Sequence, residues 1–370
     1  MRDQADIKAY HRRKLAVRLI SSIATIAYLA AWWPLADRLT PFLADAIGLR
    51  AVVLVVLAAI IFGLFELLTL PLSIYSGYVL EHRYDLSNET PRAFAINTLK
   101  QWAVGGVIAL IVLMGLYLLV WYGGSLWWLW AWAAWVALLV LLARLLPTVI
   151  LPIFYKATPI DDQPLVDSLV ELAAESGLAI SSVQSIDLSK DTKKVNAALV
   201  GMGGTRRVLL SDTLLDRFDL RQIAVVFAHE LGHHRRQHIW KLLALSAVTS
   251  TALIGVVVWF LAPHAGTAPD RWPEAVAALP KFCLGVALLS FVLQPIMCAV
   301  SRRFETHCDL DALKLTRDPQ AFRDAMTQLG TINLADPDPH PLMEWYYYDH
   351  PALKRRVALA DRFEPSAVDG

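Results

Sequence analysis

Phe227-Ala228-His229-Glu230-Leu231-Gly232-His233-His234 is the stretch from which the rest of the chain is best read. It carries an H-E-x-x-H pattern inside a segment with helical spacing. Residues four apart project from one face of a helix, so His229 and His233 are placed to share one Zn²⁺, with Glu230 aimed at the water that such a metal activates. A catalytic zinc takes three protein ligands and keeps a fourth position open, so a further ligand must come from elsewhere.

Composition sets the solvent in which that helix works. Of 370 residues 56% are hydrophobic, 13 are Trp, and the mean hydropathy is +0.46, too apolar for a chain that must cover itself in water. The expectation is a polytopic membrane protein. A net charge of +1 gives no basic surface for a nucleic acid. Cys283, Cys298 and Cys308 lack C-x-x-C spacing, which argues against a disulfide framework or a cysteine zinc site.

Apolar runs of bilayer length recur along the chain. They cover about Leu15 to Ala36, Ala51 to Leu70 with a continuation towards Leu80, Trp102 to Trp121, Leu126 to Ile150, Ile239 to Leu261, and Val276 to Val300. The predicted fold is mostly α, with about six transmembrane helices around a chamber and a zincin-like catalytic domain containing a small β element. Residues 1–154 hold the first four spans with a polar connection at 81–100. Residues 155–238 form the domain carrying His229 and Glu230. Residues 239–300 hold the last two spans, and 301–370 complete the catalytic domain. Trp127, Trp128, Trp130, Trp132 and Trp135 read as an interfacial aromatic belt.

Within the polar domain, Pro164 to Gly177 has amphipathic helical spacing and Gly177 is a plausible stop. Val183 to Leu188 and Arg207 to Leu210 look like short strands, with Gly201, Gly203 and Gly204 turning between two runs. Asp212 and Asp219 stand where helix caps are expected, and Ser87 or Asn88 could cap the third span. His234 and His238 point off the ligand face or a turn below it, which suggests surface or interface roles.

Arg and Lys gather at 2–14, 83–100, 144–156 and 302–303, whereas the connections near 122–125 and 263–270 are nearly free of them. The positive-inside tendency then puts both termini, the 81–100 connection and the catalytic domain on the cytoplasmic side. An even number of spans agrees.

The richest source of a third ligand is Ser301-Arg302-Arg303-Phe304-Glu305-Thr306-His307-Cys308-Asp309. On a helix Glu305 and Asp309 share a face, so Glu305 as ligand and Asp309 behind an imidazole would complete a site. A charged helix at the membrane surface explains the same residues, and spacing alone leaves both open.

Several separated motifs, taken together, resemble the integral-membrane zinc metallopeptidases of family M48, in the Ste24 or CAAX prenyl protease 1 branch. They are Leu70-Pro71-Leu72-Ser73-Ile74-Tyr75 with Glu81 and Asn88-Glu89-Thr90, then Asn196-Ala197, then Arg207 to Leu215. His229 to His233, Ser301 to Glu305 with Asp309, and His350-Pro351 with Arg356 follow in order. The resemblance implies that His229, His233 and Glu305 ligate one Zn²⁺ per chain, that Glu230 is the general base, and that Asp309 supports a ligand. It also implies that Asn196, His350 and Arg356 line the active site, holding substrate or the developing oxyanion. The implied fold is a ring of membrane helices around a water-filled chamber. The implied reaction is cleavage near the carboxyl terminus of prenylated proteins.

Against the family's eukaryotic members, a further amino-terminal helix and a longer insertion before the zinc helix are expected to be absent, which suggests a compact member in a bacterial inner membrane. Thr306-His307-Cys308 replaces the usual aromatic, Gln and Ala, and His307 and Cys308 read as tolerated variation. The expected function is a CAAX prenyl protease-like metalloendopeptidase using a metal-activated water. Expected partners are a peptide or protein substrate, possibly lipid-modified at its carboxyl terminus, and membrane lipids, with no nucleic acid. Two alternatives stand beside it: an HtpX-like membrane-protein quality-control peptidase, and a transporter or scaffold with structural zinc. The segment Asn196 to Gly201 offers a strand edge to an extended peptide.

Overall fold

A computed structural model describes residues 4–201, 206–266 and 271–363. Six helices are long and apolar enough to cross a membrane: α1 (Gln4–Ile47), α2 (Arg50–Arg83), α3 (Pro91–Tyr122), α4 (Gly124–Phe154), α8 (His238–His264) and α9 (Trp272–Thr316). Each contains its expected span. A helix satisfies its own backbone polar groups, so it need not end where the apolar run ends. Hence α1 includes the polar stretch from Gln4 to Lys14, and α9 continues past Val300 to Thr316 as a single helix.

Neighbouring helices succeed one another as α2, α1, α9, α8, α4 and α3. The last and first touch where Tyr78 meets Phe94, with ring centroids 5.3 Å apart, so the order closes into a ring. All six contribute to one buried cluster at the end away from the polar domain, through Trp32, Leu57, Tyr117, Trp127, Val257 and Val276. Tyr117 donates a buried hydrogen bond to the Ala275 carbonyl there at 2.9 Å.

The polar domain holds a four-stranded sheet in the order β1 (Ala157–Pro159), β2 (Ser182–Ile186), β4 (Arg207–Ser211), β3 (Ala197–Val200), so β3 lies at an edge. The β2–β4 pair is parallel and the other two pairs are antiparallel. Strand β1 has no alternating pattern and escaped the sequence reading, and Gly203 and Gly204 lie outside the described residues. Helices α5 (Gln163–Glu175), α6 (Asp212–Leu215), α7 (Leu220–Arg235), α10 (Pro319–Ile332), α11 (Pro341–Tyr347) and α12 (Leu353–Asp361) complete it. Its core joins Leu169, Val183, Leu210, Phe227 and Phe322 to Ala312 and Leu313 from the distal end of α9.

Two expected caps are replaced by neighbours. Ser211, not Asp212, caps α6 by accepting from the Leu214 amide, while Asp212 accepts from the backbone and hydroxyl of Ser189. A serine immediately before the helix reaches its orphan amides better than the residue inside it. Likewise Thr90 caps α3, since Pro91 opens it, while Ser87 and Asn88 donate to the carbonyls of Asp191 and Ser189. Asp219 does cap α7, in a reciprocal box with Gln222.

Those last contacts seat the 84–90 connection directly on the polar domain. Glu81 reinforces the seat, with an oxygen 2.5 Å from Lys14 and the other 2.8 Å from Lys194, while Tyr10 donates to it at 2.7 Å. The carboxylate therefore ties α1 and α2 to the domain. Replacing Glu81 with Ala strands two ammonium groups that are about a quarter to a third exposed. The expected loss is about 1–3 kcal/mol, read as a lower midpoint of thermal unfolding in detergent.

Candidate active site

Helix α7 carries His229, Glu230 and His233, and it packs against the extramembrane half of α9. Gly232 permits the approach: a Cβ built on it would lie 3.2 Å from both the Cα and the Sγ of Cys308. With the two backbones that close, Glu305 on α9 reaches both histidines. Its Oε2 lies 3.1 Å from His229 Nε2 and its Oε1 3.3 Å from His233 Nε2, and the two imidazole nitrogens are 3.2 Å apart.

Behind this cluster the charges alternate. Arg356 on α12 donates to both oxygens of Asp309, at 2.8 and 2.6 Å, and so keeps that carboxylate ionised. Asp309 Oδ1 lies 2.9 Å from His229 Nδ1. An ionised carboxylate only accepts, so His229 donates from Nδ1 to Asp309 and turns its other nitrogen, Nε2, towards Glu305. Glu305 Oε2 is buried and has no hydrogen-bond partner. An imidazole nitrogen 3.1 Å from a buried carboxylate oxygen is a place for one cation between them, either a proton or a metal ion.

The dimensions fit as well. Ligand bonds of about 2.0–2.1 Å around a tetrahedral zinc place neighbouring donor atoms roughly 3.3 Å apart. The 3.2 Å between the two imidazole nitrogens lies close to that value, and each nitrogen has one Glu305 oxygen within 3.3 Å. Burial pushes the His229 pKa down, but the Asp309 and Glu305 carboxylates more than offset this and hold it at about 9. The surroundings thus favour positive charge at that imidazole.

Glu230 stands beside the cluster. Burial pushes its carboxyl pKa up, His229 and His233 pull it back, and the Leu199 amide of β3 donates to it. His234 takes the other outward group of the same residue, with Nε2 2.6 Å from the Leu199 carbonyl. The edge strand is therefore stitched to α7 at Leu199. A peptide pairing along β3 would have to share or displace these side chains.

Other expected site residues lie nearby with different partners. His350 is half exposed, its Nε2 3.1 Å from Glu305 Oε2 and its Nδ1 2.9 Å from Asp349. Arg356 is committed to Asp309, which makes it a support for His229 rather than a guanidinium open to the cleft. Asn196 is exposed at the start of β3, its side chain accepting from the Ala197 amide. It lines a largely apolar cavity of about 930 Å³ with Leu199, His234, Trp240, Pro147 and Ala143. His238, read from sequence as peripheral, is buried against His233, with their Nδ1 atoms 3.2 Å apart. A position nine residues beyond the first histidine carries no periodic signal, because a left-handed residue at Gln237 (φ 54°) breaks the helix between them.

Comparison with known proteins agrees with this architecture. Residues 3–156 match a family described as CAAX prenyl protease N-terminal, five membrane helices, and residues 159–364 match Peptidase family M48. The described part of the first region contains four helices long enough to cross. An uncharacterized metalloprotease, YhfN, of Bacillus subtilis is 27% identical over 302 residues, which are 80% of this chain and 71% of that one. CAAX prenyl protease 1 of Saccharomyces cerevisiae is 29% identical over 325 residues, covering 81% of this chain and 70% of that one. The crystal structure of S. mikatae Ste24p superposes with a TM-score of 0.78 at 24% identity, over 97% of this chain and 88% of that one, a likeness of fold.

Asp309 gives the site its sharpest test short of catalysis. Asp309→Asn keeps the shape but removes the ionised acceptor behind His229. Metal affinity should fall about 10–100-fold, measured by competition with a chromogenic chelator.

Proposed function

The chain belongs to peptidase family M48, and from that premise we propose that His229, His233 and Glu305 hold one Zn²⁺ with Glu230 as general base. The protein is a multi-pass membrane metalloprotease of the Ste24 type that acts on peptide or protein substrates. A reading as transporter or scaffold is set aside by that membership. The buried Glu305 oxygen, without a hydrogen-bond partner and 3.1 Å from His229 Nε2, carries the assignment of the ligands. When bound, the zinc supplies Lewis acidity towards the scissile carbonyl and lowers the pKa of water.

The protein's own groups do the rest. Glu230, oriented by the Leu199 amide and raised in basicity by burial, takes the proton from the attacking water and passes it to the leaving amine. Arg356 holds Asp309, and Asp309 fixes the His229 ring. His350 presents an N–H to the oxyanion that develops on the carbonyl, its other nitrogen anchored by Asp349. Asn196 positions the peptide where β3 opens into the apolar cavity.

The substrate we propose is a carboxyl-terminal peptide bearing a prenyl group on cysteine. The apolar cavity beside β3 supports it, as does likeness to a CAAX prenyl protease 1. That likeness to the Ste24 branch also favours it over quality control of the HtpX kind. The membrane is a bacterial inner membrane and the catalytic domain faces the cytoplasm. Support comes from the direct seating of the Arg- and Lys-rich 81–100 region on the domain, which places both on one side.

Glu230→Gln should retain zinc and lose about 10²–10⁴-fold in peptide hydrolysis. Full activity in that variant would end the general-base assignment. A prenylated peptide should show a KM at least about tenfold below its unprenylated counterpart, since even partial burial of the chain is worth more than 1.4 kcal/mol. Equal values would remove the lipid from the proposal.

A further inference from the structure

Helix α7 ends at Arg235, and the chain turns back through the left-handed Gln237 to begin α8 at His238. The turn lays the His238 ring beside His233. Its Nδ1 lies 3.2 Å from His233 Nδ1 and 3.5 Å from the Sγ of Cys308, and the three donor atoms all fall within 4.8 Å of one another. The His238 ring is held in place by stacking flat on Phe304, with centroids 4.1 Å apart and planes at 6°. Cys308 is fixed by its close contact with Gly232.

With His238 Nδ1 as acceptor, hydrogen bonding satisfies only one of these contacts. An imidazole Nδ1 has a single in-plane lone pair, so His238 cannot accept from both the His233 N–H and the Cys308 S–H. A metal ion satisfies all three atoms together. Around a tetrahedral zinc, bonds of about 2.05 Å to nitrogen and 2.3 Å to sulfur give separations of roughly 3.4 Å between nitrogens and 3.6 Å from nitrogen to sulfur. The observed 3.2 and 3.5 Å are close to these.

We propose that His233 Nδ1, His238 Nδ1 and Cys308 Sγ form a second metal site, which shares His233 with the first. Two imidazoles and a thiolate select a soft or borderline cation such as Zn²⁺ or Cd²⁺ over Mg²⁺ or Ca²⁺. Entry is from the catalytic cleft, since the His233 side chain is 27% exposed while His238 and Cys308 are buried. Binding displaces the thiol proton and the His233 Nδ1 proton to solvent, and the imidazolate bridges the two ions. Local charge permits this. Lys241, Arg236 and His307 face His238, but Arg236 is paired with Asp311, and Glu230, Glu305, Asp309 and Asp311 surround Cys308.

The test is cadmium titration of the full chain, purified in detergent and first loaded with a single equivalent of zinc. Total bound metal should rise from about one to about two per chain, with the ultraviolet charge-transfer band of a cadmium–thiolate bond. Cys308→Ser and His238→Ala should each lose the band and the added equivalent while keeping the first ion, which also reports an intact fold. A Cys283→Ser/Cys298→Ser double variant should keep both. A metal count fixed at one, or a band that survives Cys308→Ser, overturns the second site. Loss of all metal before cadmium is added would instead count against the first.

Discussion

The structure depends on how closely α7 and α9 approach. One helix carries both histidines and the other carries Glu305, and a membrane-spanning hairpin lies between them in sequence. Gly232 lets the Cys308 backbone come within contact of α7. A side chain there would meet the Cys308 backbone, and a metal site has little slack for the shift, because ligand distances vary by only about 0.2 Å. The membrane ring serves the same end. It fixes the membrane part of α9 in the bundle, so the helix leaves the bilayer in one direction and meets α7 in one register.

Electrostatics then gives that meeting its chemistry. Arg356, Asp309, His229, Glu305, His350 and Asp349 form a line of alternating sign, each within 3.1 Å of the next. The line fixes how the His229 ring is turned. It also explains why Asp309 and Glu305 can be buried together without mutual repulsion deciding the outcome, since each has a cationic or N–H neighbour. Glu230 stands to one side of this line, where burial raises its carboxyl pKa and favours a basic carboxylate.

Much of this was legible in the chain. Hydropathy located all six spans, because a bilayer demands about 20 apolar residues from any helix that crosses it. H-E-x-x-H put His229, Glu230 and His233 together at one end of a helix, because helical spacing is strictly local. Glu305 was different: spacing within its own segment left it ambiguous, and only its resemblance to a family's motif order singled it out. The continuity of α9 was missed, since hydropathy reads where lipid ends and not where a helix ends. Arg356 was assigned to the cleft when its geometry commits it to Asp309. The His238, Phe304 and Cys308 cluster was invisible, because two of its members look like ordinary core residues and the third follows a helix break.

The central claim is that Glu305 completes a metal site begun by His229 and His233. Zinc-edge X-ray absorption on the purified chain, compared with Glu305→Ala, tests it most directly. The account predicts a first shell of two imidazoles with carboxylate oxygen in the wild-type protein, and loss of that oxygen together with weaker zinc retention in the variant. An unchanged first shell and unchanged zinc content in Glu305→Ala would contradict it.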